Sequence, residues 1–421
     1  MCSLAKNSDN KILIRFGAVG ALFCFLMAIT IALNAASYDW FNLRASDFIV
    51  LFCFALLLLT DRLSVSYLEL GLFISIFIIL LASDTASAVS GTFDISSAIF
   101  YYKYFFIFMC FIFFKSIFKR YLWFSFKYFV YPFLVFYTSI VVWTLFSVFY
   151  LGDNYLDANG RPSFPLAKDY AQSDAHLLSA VIGIGLIFYF SILRDFFKKK
   201  LSYDFFMISF VPLSMLVTGS RSAFAIVFFF CFILFFIHIF RILINHVASR
   251  TFLLSVLTSL FFVLFSILAA LYYSNYLLLS DFRALNFNLV ADESSNIRIE
   301  MLLQAINESS KNGYLLGAGP TASDNVFYDG IFSILIAHGG FLLVLLVFTI
   351  LALIFFKVVI SRRISFNGKA KYMSLVLSIF FANGISEYIF VTRAAIPMIS
   401  IIVFSWFFLV STKTEKFTKL A

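Results

Sequence analysis

At residues 215–230 the chain reads MLVTGSRSAFAIVFFF, placing Thr218-Gly219-Ser220-Arg221-Ser222 between two apolar runs. A guanidinium in that setting has two chemistries open to it. It can snorkel to lipid headgroups from the end of a membrane span. Alternatively, Gly219 and the two serines let the backbone turn tightly. Arg221, opening the next helix, then faces a bound anion with help from free N–H groups. Three further arginines could share the second role: Arg161 in NGRPSF, Arg283 in SDFRALNF and Arg298 in SSNIRIE. Guanidinium forks suit phosphate and pyrophosphate oxygens, which they bind bidentately. Acids supply the complementary chemistry. Asp324 and Asp329 lie in SDNVFYDG, and Asp174 and His176 lie in SDAHLL. A carboxylate close to such arginines can accept a proton from a hydroxyl. Asp329 also fits a helix N-cap or first-turn acid favoured by the helix dipole.

The elements that must position these residues follow from composition. Of 421 residues, 62% are hydrophobic and 13% charged, and Phe alone contributes 61. Mean hydropathy is +0.99. A soluble domain cannot hide that much apolar side chain, so the chain reads as a polytopic membrane protein. The alternating pattern of an outer-membrane barrel is absent. The expected class is all-α: a transmembrane helical bundle of about 12 spans with two long periplasmic loops. Four of the five cysteines sit within apolar runs and Cys2 lies at the N-terminus, which suits neither a disulfide framework nor a metal knuckle. No His/Cys/Asp cluster has metal-ligand spacing.

Apolar runs of roughly 20 residues fall near 12–35, 47–60, 65–83, 98–118, 126–150, 176–193, 203–218, 222–240, 252–274, 330–356, 372–390 and 393–411. The first is too long for a signal-peptide core and reads as a retained span. With the N-terminus placed in the cytoplasm, the inner segments carry KSIFKR, RDFFKKK, RILINHVASR, KVVISRRISFNGKAK and the tail KTEKFTKL. The outer segment SDTASAVSGTFD has no Lys or Arg. Every inner turn obeys the positive-inside rule. The reading is therefore a multi-pass protein of a bacterial inner membrane with both termini cytoplasmic. The same distribution explains the net charge of +9 by topology, so nucleic acid is not an expected partner.

Five segments result. Residues 1–150 hold N-terminal spans and 151–175 a first long periplasmic loop. Residues 176–274 hold central spans with the Gly-Ser-Arg junction. Residues 275–329 form a large periplasmic loop, and 330–421 the C-terminal spans. Loops of such length are more often functional than idle. In the second loop, Ile299, Leu302, Leu303 and Ile306 recur at helical spacing, with Ser294-Ser295-Asn296 available to cap the helix start. The turn region NGYLLGAGPTASDN follows. Three other polar residues have structural readings or none: Glu387 paired with Arg393, His338 as a helix-packing histidine, and Glu69 as an unexplained acid in the third span.

The ordered set is an arginine in a first long loop, a TGSRSA junction, an Arg-led amphipathic helix in a large loop, a GAGP turn, and an acid eleven residues before a glycine. This order resembles the O-antigen polymerase and O-antigen ligase superfamily of membrane glycosyltransferases, over about residues 150–345. Arg161 is similar to the family's first-loop arginine, Arg221 to the arginine of the junction, and Arg298 to the arginine opening the large-loop helix. In ligases a His-Asn pair stands eleven residues before a glycine of the tenth span. Here Asp329 holds the histidine's place relative to Gly340, and Gly330 replaces the asparagine. Because polymerase-type members often carry an acid there, the departure favours a polymerase.

The resemblance implies transfer of a growing glycan from undecaprenyl diphosphate onto a hydroxyl of the next lipid-linked repeat unit. Asp329 would be the base, with Asp324 as second candidate. Arg161, Arg221, Arg298 and Arg283, with Ser220 and His176, would bind diphosphate and glycan. It implies no cofactor and no metal, with membrane lipids as surroundings and a separate chain-length regulator as a further partner. Two alternatives stand beside it: a ligase handing glycan to the lipid A core, and a transporter or lipid flippase. The latter predicts mid-bilayer ionisable residues, paired broken helices and internal repeats, and the sequence shows no convincing repeat.

Overall fold

The computed structural model describes residues 51–52, 54–55, 64–89, 99–125, 130–151, 156, 162, 175–194, 201–218, 222–245, 293–320, 330–362, 364–386 and 392–411. Among them there is no strand; one isolated bridge joins Leu156 and Pro162. Ten α-helices follow in order: α1 (Tyr67–Val89), α2 (Ile99–Ser125), α3 (Tyr131–Phe146), α4 (Ala175–Phe188), α5 (Leu201–Val217), α6 (Ser222–Asn245), α7 (Glu293–Ser310), α8 (Ile331–Ile360), α9 (Phe366–Ser386) and α10 (Thr392–Ser411). Helices α3 and α4 each run on into a π-helical turn, Ser147–Leu151 and Tyr189–Leu193.

Among the described residues four stretches are long and apolar enough to cross a membrane: Tyr67–Val89, Phe100–Lys119, Phe133–Leu151 and Ile331–Ile360. Shorter apolar helices cover Leu178–Leu193, Ser202–Val217, Ile226–Ile239 and Met398–Val410. These match the apolar runs expected between residues 65 and 411, apart from 252–274 and apart from 372–390, whose described part lies in α9 (Phe366–Ser386), a helix outside both sets. The runs at 12–35 and 252–274, and most of 47–60, lie outside the described residues. The chain is thus a helical membrane protein.

Helix pairs α6–α9, α2–α10, α4–α6, α7–α8 and α1–α8 make the principal contacts, followed by α3–α5 and α8–α9. Lipid tails are as apolar as the side chains, so packing quality rather than water exclusion must join such helices. Phenylalanine supplies it through edge-to-face geometry. Phe404 of α10 meets Phe118 of α2 at 5.3 Å and 80°, and Phe188 of α4 at 5.9 Å and 85°. Phe133 of α3 adds a further T-shaped contact with Phe188. This main cluster continues through Tyr137, Tyr189, Met215 and Ile226.

Polar fasteners mark one end of the bundle. The Lys115 ammonium pairs with Glu69, joining α2 to the start of α1. Glu69 also accepts a hydrogen bond from the Ser66 backbone N–H at 2.9 Å, while its own N–H donates to Ser66 Oγ at 3.3 Å. That reciprocal pattern is a capping box, and it accounts for an acid the sequence reading left unexplained. In the helix hairpin α4–α5, buried Asp204 accepts from Tyr189 Oη at 2.9 Å and from Nε and Nη2 of Arg194 at 3.3 Å.

Candidate functional site at a broken helix

Helix α8 has 30 residues, about 45 Å at 1.5 Å per residue, whereas a bilayer's hydrocarbon core is about 30 Å thick. Its backbone breaks at Gly340, which has φ 64° and ψ −161°. The 20 residues from Phe341 to Ile360 span about 30 Å, so the break sits one core thickness from the far end. A break in apolar surroundings exposes backbone groups that must find partners. Here the turn after α7 supplies them. The Phe341 and Leu342 N–H groups donate to the carbonyls of Tyr314 and Leu315 at 3.1 and 3.2 Å. The Gly319 N–H donates to the Ala337 carbonyl at 3.2 Å. Residues 314–319 therefore complete the hydrogen bonding of a helix they do not belong to.

The turn is itself held internally. Ser309 Oγ donates to the Tyr314 and Leu316 carbonyls at 3.1 and 3.2 Å, and Asn312 Nδ2 donates to the Gly317 carbonyl at 2.8 Å. Helix α7 delivers it by packing Ala305, Met301, Leu302 and Ile306 against Ile336 and Ala337 of α8. Leu302 and Ile306 thus lie on the packed face as the spacing predicted, while Ile299 and Leu303 are exposed. Ser294-Ser295-Asn296 fall inside the first turn of α7, which begins at Glu293. They do not precede the helix as a cap, because its helical backbone starts earlier than the apolar periodicity does.

Helix α1 closes the other side. The sequence reading placed SDTASAVSGTFD in an outer turn, but α1 continues to Val89 and buries Ser83, Asp84 and Ser87. Ser87 Oγ donates to the Ala318 carbonyl. Asp84 Oδ2 accepts from Tyr101 Oη of α2 at 2.5 Å. A side chain at Gly319, whose φ is +91°, would run into Asp84 Oδ1 and lie 2.9 Å from Asp84 Cα. The turn backbone therefore rests directly on this carboxylate. The Ser83 hydroxyl, fully buried, has no partner among the described residues. Beside them, His338 Nδ1 lies 3.1 Å from Tyr104 Oη, with the Phe100 ring edge-on at 4.9 Å. His338 is accordingly a packing histidine, as its position in an apolar run suggested.

The expected site residues distribute unevenly. Arg161, Ser220, Arg221, Arg283, Asp324 and Asp329 lie outside the described residues, as do Asp174 and Glu387. His176 occupies the first turn of α4 and Arg298 the second turn of α7. The sequence neighbours of the undescribed residues are firmly seated. Pro320 and Gly330, which bracket the segment carrying Asp324 and Asp329, are both buried. Thr218 and Ala223, which bracket the Gly-Ser-Arg junction, are fully buried. The Ala223 N–H donates to Ser179 Oγ at 3.3 Å, one helical turn from His176. Gly183 approaches Ala223 so closely that an added Cβ would lie 2.9 Å from its Cα. The first turn of α4, which carries His176, and the start of α6 thus share one end of the α4–α6 pair.

Sequence reasoning missed Asp84, Ser87, Tyr101 and Tyr104. Ser83 and Ser87 at i, i+4 beside an acid form a polar stripe at the end of an apolar helix, and that was the available signal. Among the described residues no group of three or more His, Cys, Asp or Glu side chains gathers in a way that could hold a metal ion. Comparison with family models, with curated proteins and with solved structures finds no match to this chain.

Proposed function

We propose that the chain is an O-antigen polymerase, a membrane glycosyltransferase that joins lipid-linked oligosaccharide repeat units at the periplasmic face of a bacterial inner membrane. The observation that carries this reading is the turn seated in the break of α8. It leaves buried anchors, Pro320 and Gly330, on either side of the segment bearing Asp324 and Asp329. A carboxylate on a nine-residue segment between two buried anchors is suited to an acceptor delivered from the lipid surface.

In this mechanism the sugar–diphosphate bond of the donor breaks as the acceptor hydroxyl oxygen attacks the same anomeric carbon. Asp329 takes the hydroxyl proton. The electron pair of the broken bond leaves on undecaprenyl diphosphate, whose growing charge Arg161, Arg221, Arg283 and Arg298 neutralise. Ser220 and His176 bind beside them. Because the leaving group is already a diphosphate, no nucleotide enters. Both substrates are membrane-tethered, so orientation in one cleft supplies a large part of the rate. The acid at 329, where ligase-type sequences carry His-Asn, favours extension of the glycan over its transfer to the lipid A core.

A deletion strain tests the assignment. Its lipopolysaccharide should carry one repeat unit on the core, with the long ladder gone. Core alone, with glycan stranded on the carrier lipid, would instead assign the ligase reaction. An unchanged ladder would remove the chain from glycan assembly altogether and return attention to transport.

A further inference from the structure

Asp84 is a carboxylate 5% exposed near the end of an apolar helix, a position where an acid is costly unless it is used. Its surroundings indicate the use. Tyr101 Oη donates to one oxygen at 2.5 Å. The other oxygen faces Gly319, whose Cα has no room for a side chain on that side. One helical turn further along α1, Ser87 Oγ donates to the neighbouring Ala318 carbonyl. Asn312 Nδ2 reaches Ser87 Oγ at 3.4 Å from the turn's opposite limb. The Gly319, Ala318 and Asn312 contacts tie residues 312–319 to α1 across more than 200 positions of sequence, while the Tyr101 bond fixes Asp84 from α2. The chain then passes through buried Pro320 into the segment of Asp324 and Asp329.

We propose that Asp84, fixed by Tyr101, is a positioning residue that seats the Gly317–Pro320 turn in the α8 break and so sets where the segment after Pro320 begins. This rests on the glycan-extension reading for its consequence, though not for the seating itself. Asp84 acts here as a hydrogen-bond acceptor and packing surface, not as a proton acceptor from substrate. Asparagine keeps both properties, whereas alanine removes both.

The test uses the full chain, stripped of native cysteines, in membrane vesicles, with Ala318→Cys as reporter. Ala318 is buried, so a membrane-impermeant maleimide should label it slowly. Adding Asp84→Ala or Tyr101→Phe should each raise the labelling rate by about tenfold or more, the scale of losing a hydrogen bond to a charged group. Asp84→Asn should stay within about twofold of the parent, because the amide oxygen still accepts from Tyr101. In the same vesicles, glycan extension should fall with Asp84→Ala and persist with Asp84→Asn. Unchanged labelling in inserted Asp84→Ala would overturn the proposal. So would a docked turn with abolished extension in Asp84→Asn, which would make Asp84 a reacting group. Fast labelling with normal extension in Asp84→Ala would overturn it too. A parent that labels as expected but extends nothing would remove the glycan-extension reading, while the labelling series still decides the seating.

Discussion

Replacing Gly340 with alanine should destabilise the protein by roughly 3 kcal/mol or more, the sum of backbone strain and overpacking. At φ 64° and ψ −161° the residue occupies a region that side-chain-bearing residues avoid. A Cβ there would lie 2.5 Å from the Leu315 carbonyl oxygen and from the Leu316 carbonyl carbon. Both are backbone atoms of the inserted turn and cannot rotate away. Relief requires the turn to withdraw, which strips the Phe341 and Leu342 N–H groups of their acceptors. In apolar surroundings each such loss costs further free energy. Gly71→Ala is the matching control, since a Cβ there meets nothing within 4 Å and alanine favours a helix. Thermal unfolding in detergent, followed by size-exclusion profile, should show Gly340→Ala melting well below the parent and Gly71→Ala level with it. Equal melting of both variants would mean that the turn does not occupy the break.

Arg221→Ala should slow chain extension by roughly 100- to 1,000-fold, the loss typical of one oriented donor to developing negative charge. Insertion and melting should be unchanged. The helix that follows it is held by Ala223 against Ser179 and Gly183, and the helix before it is followed by buried Thr218, whose Oγ1 donates to the Met215 carbonyl. Arg221→Lys should recover only a small part of the activity, because an ammonium lacks the planar fork that grips a diphosphate bidentately. If the guanidinium merely snorkels to headgroups, lysine substitutes fully and alanine extends normally. Lipopolysaccharide gels from complemented deletion strains separate these outcomes, and full-length ladders from Arg221→Ala would contradict the anion-binding role.

Legibility followed the range of the physics. The spans were readable because apolar runs of membrane length report themselves locally. Placing the start of α9 near 372 instead of at Phe366 is the kind of error a hydropathy window makes, since NGKAK lowers the mean without breaking the helix. The same averaging ended α1 at Ser83. Ser, Asp and Thr dilute hydropathy there, and the helix is carried to Val89 by contacts with a turn 231 residues later in sequence. No local signal encodes that partner. Glu69 was locally encoded, since Ser66-x-x-Glu69 ahead of an apolar run spells a capping box. The break at Gly340 was invisible because adjacent glycines in an apolar run fit an unbroken helix equally well. Of the chemistry-bearing residues, the sequence singled out arginines and acids by type. The structure describes what flanks them, together with an Asp84–Tyr101 pair that type alone did not distinguish from a surface turn.

The most direct measurement takes the purified chain in liposomes with the undecaprenyl-diphosphate-linked repeat unit of its own source strain, with chelator present and no lipid A core acceptor. The account predicts a ladder rising by single repeats, with undecaprenyl diphosphate released in step and both lost in Arg221→Ala. A folded, correctly inserted chain that leaves the repeat unit at its starting length would contradict it.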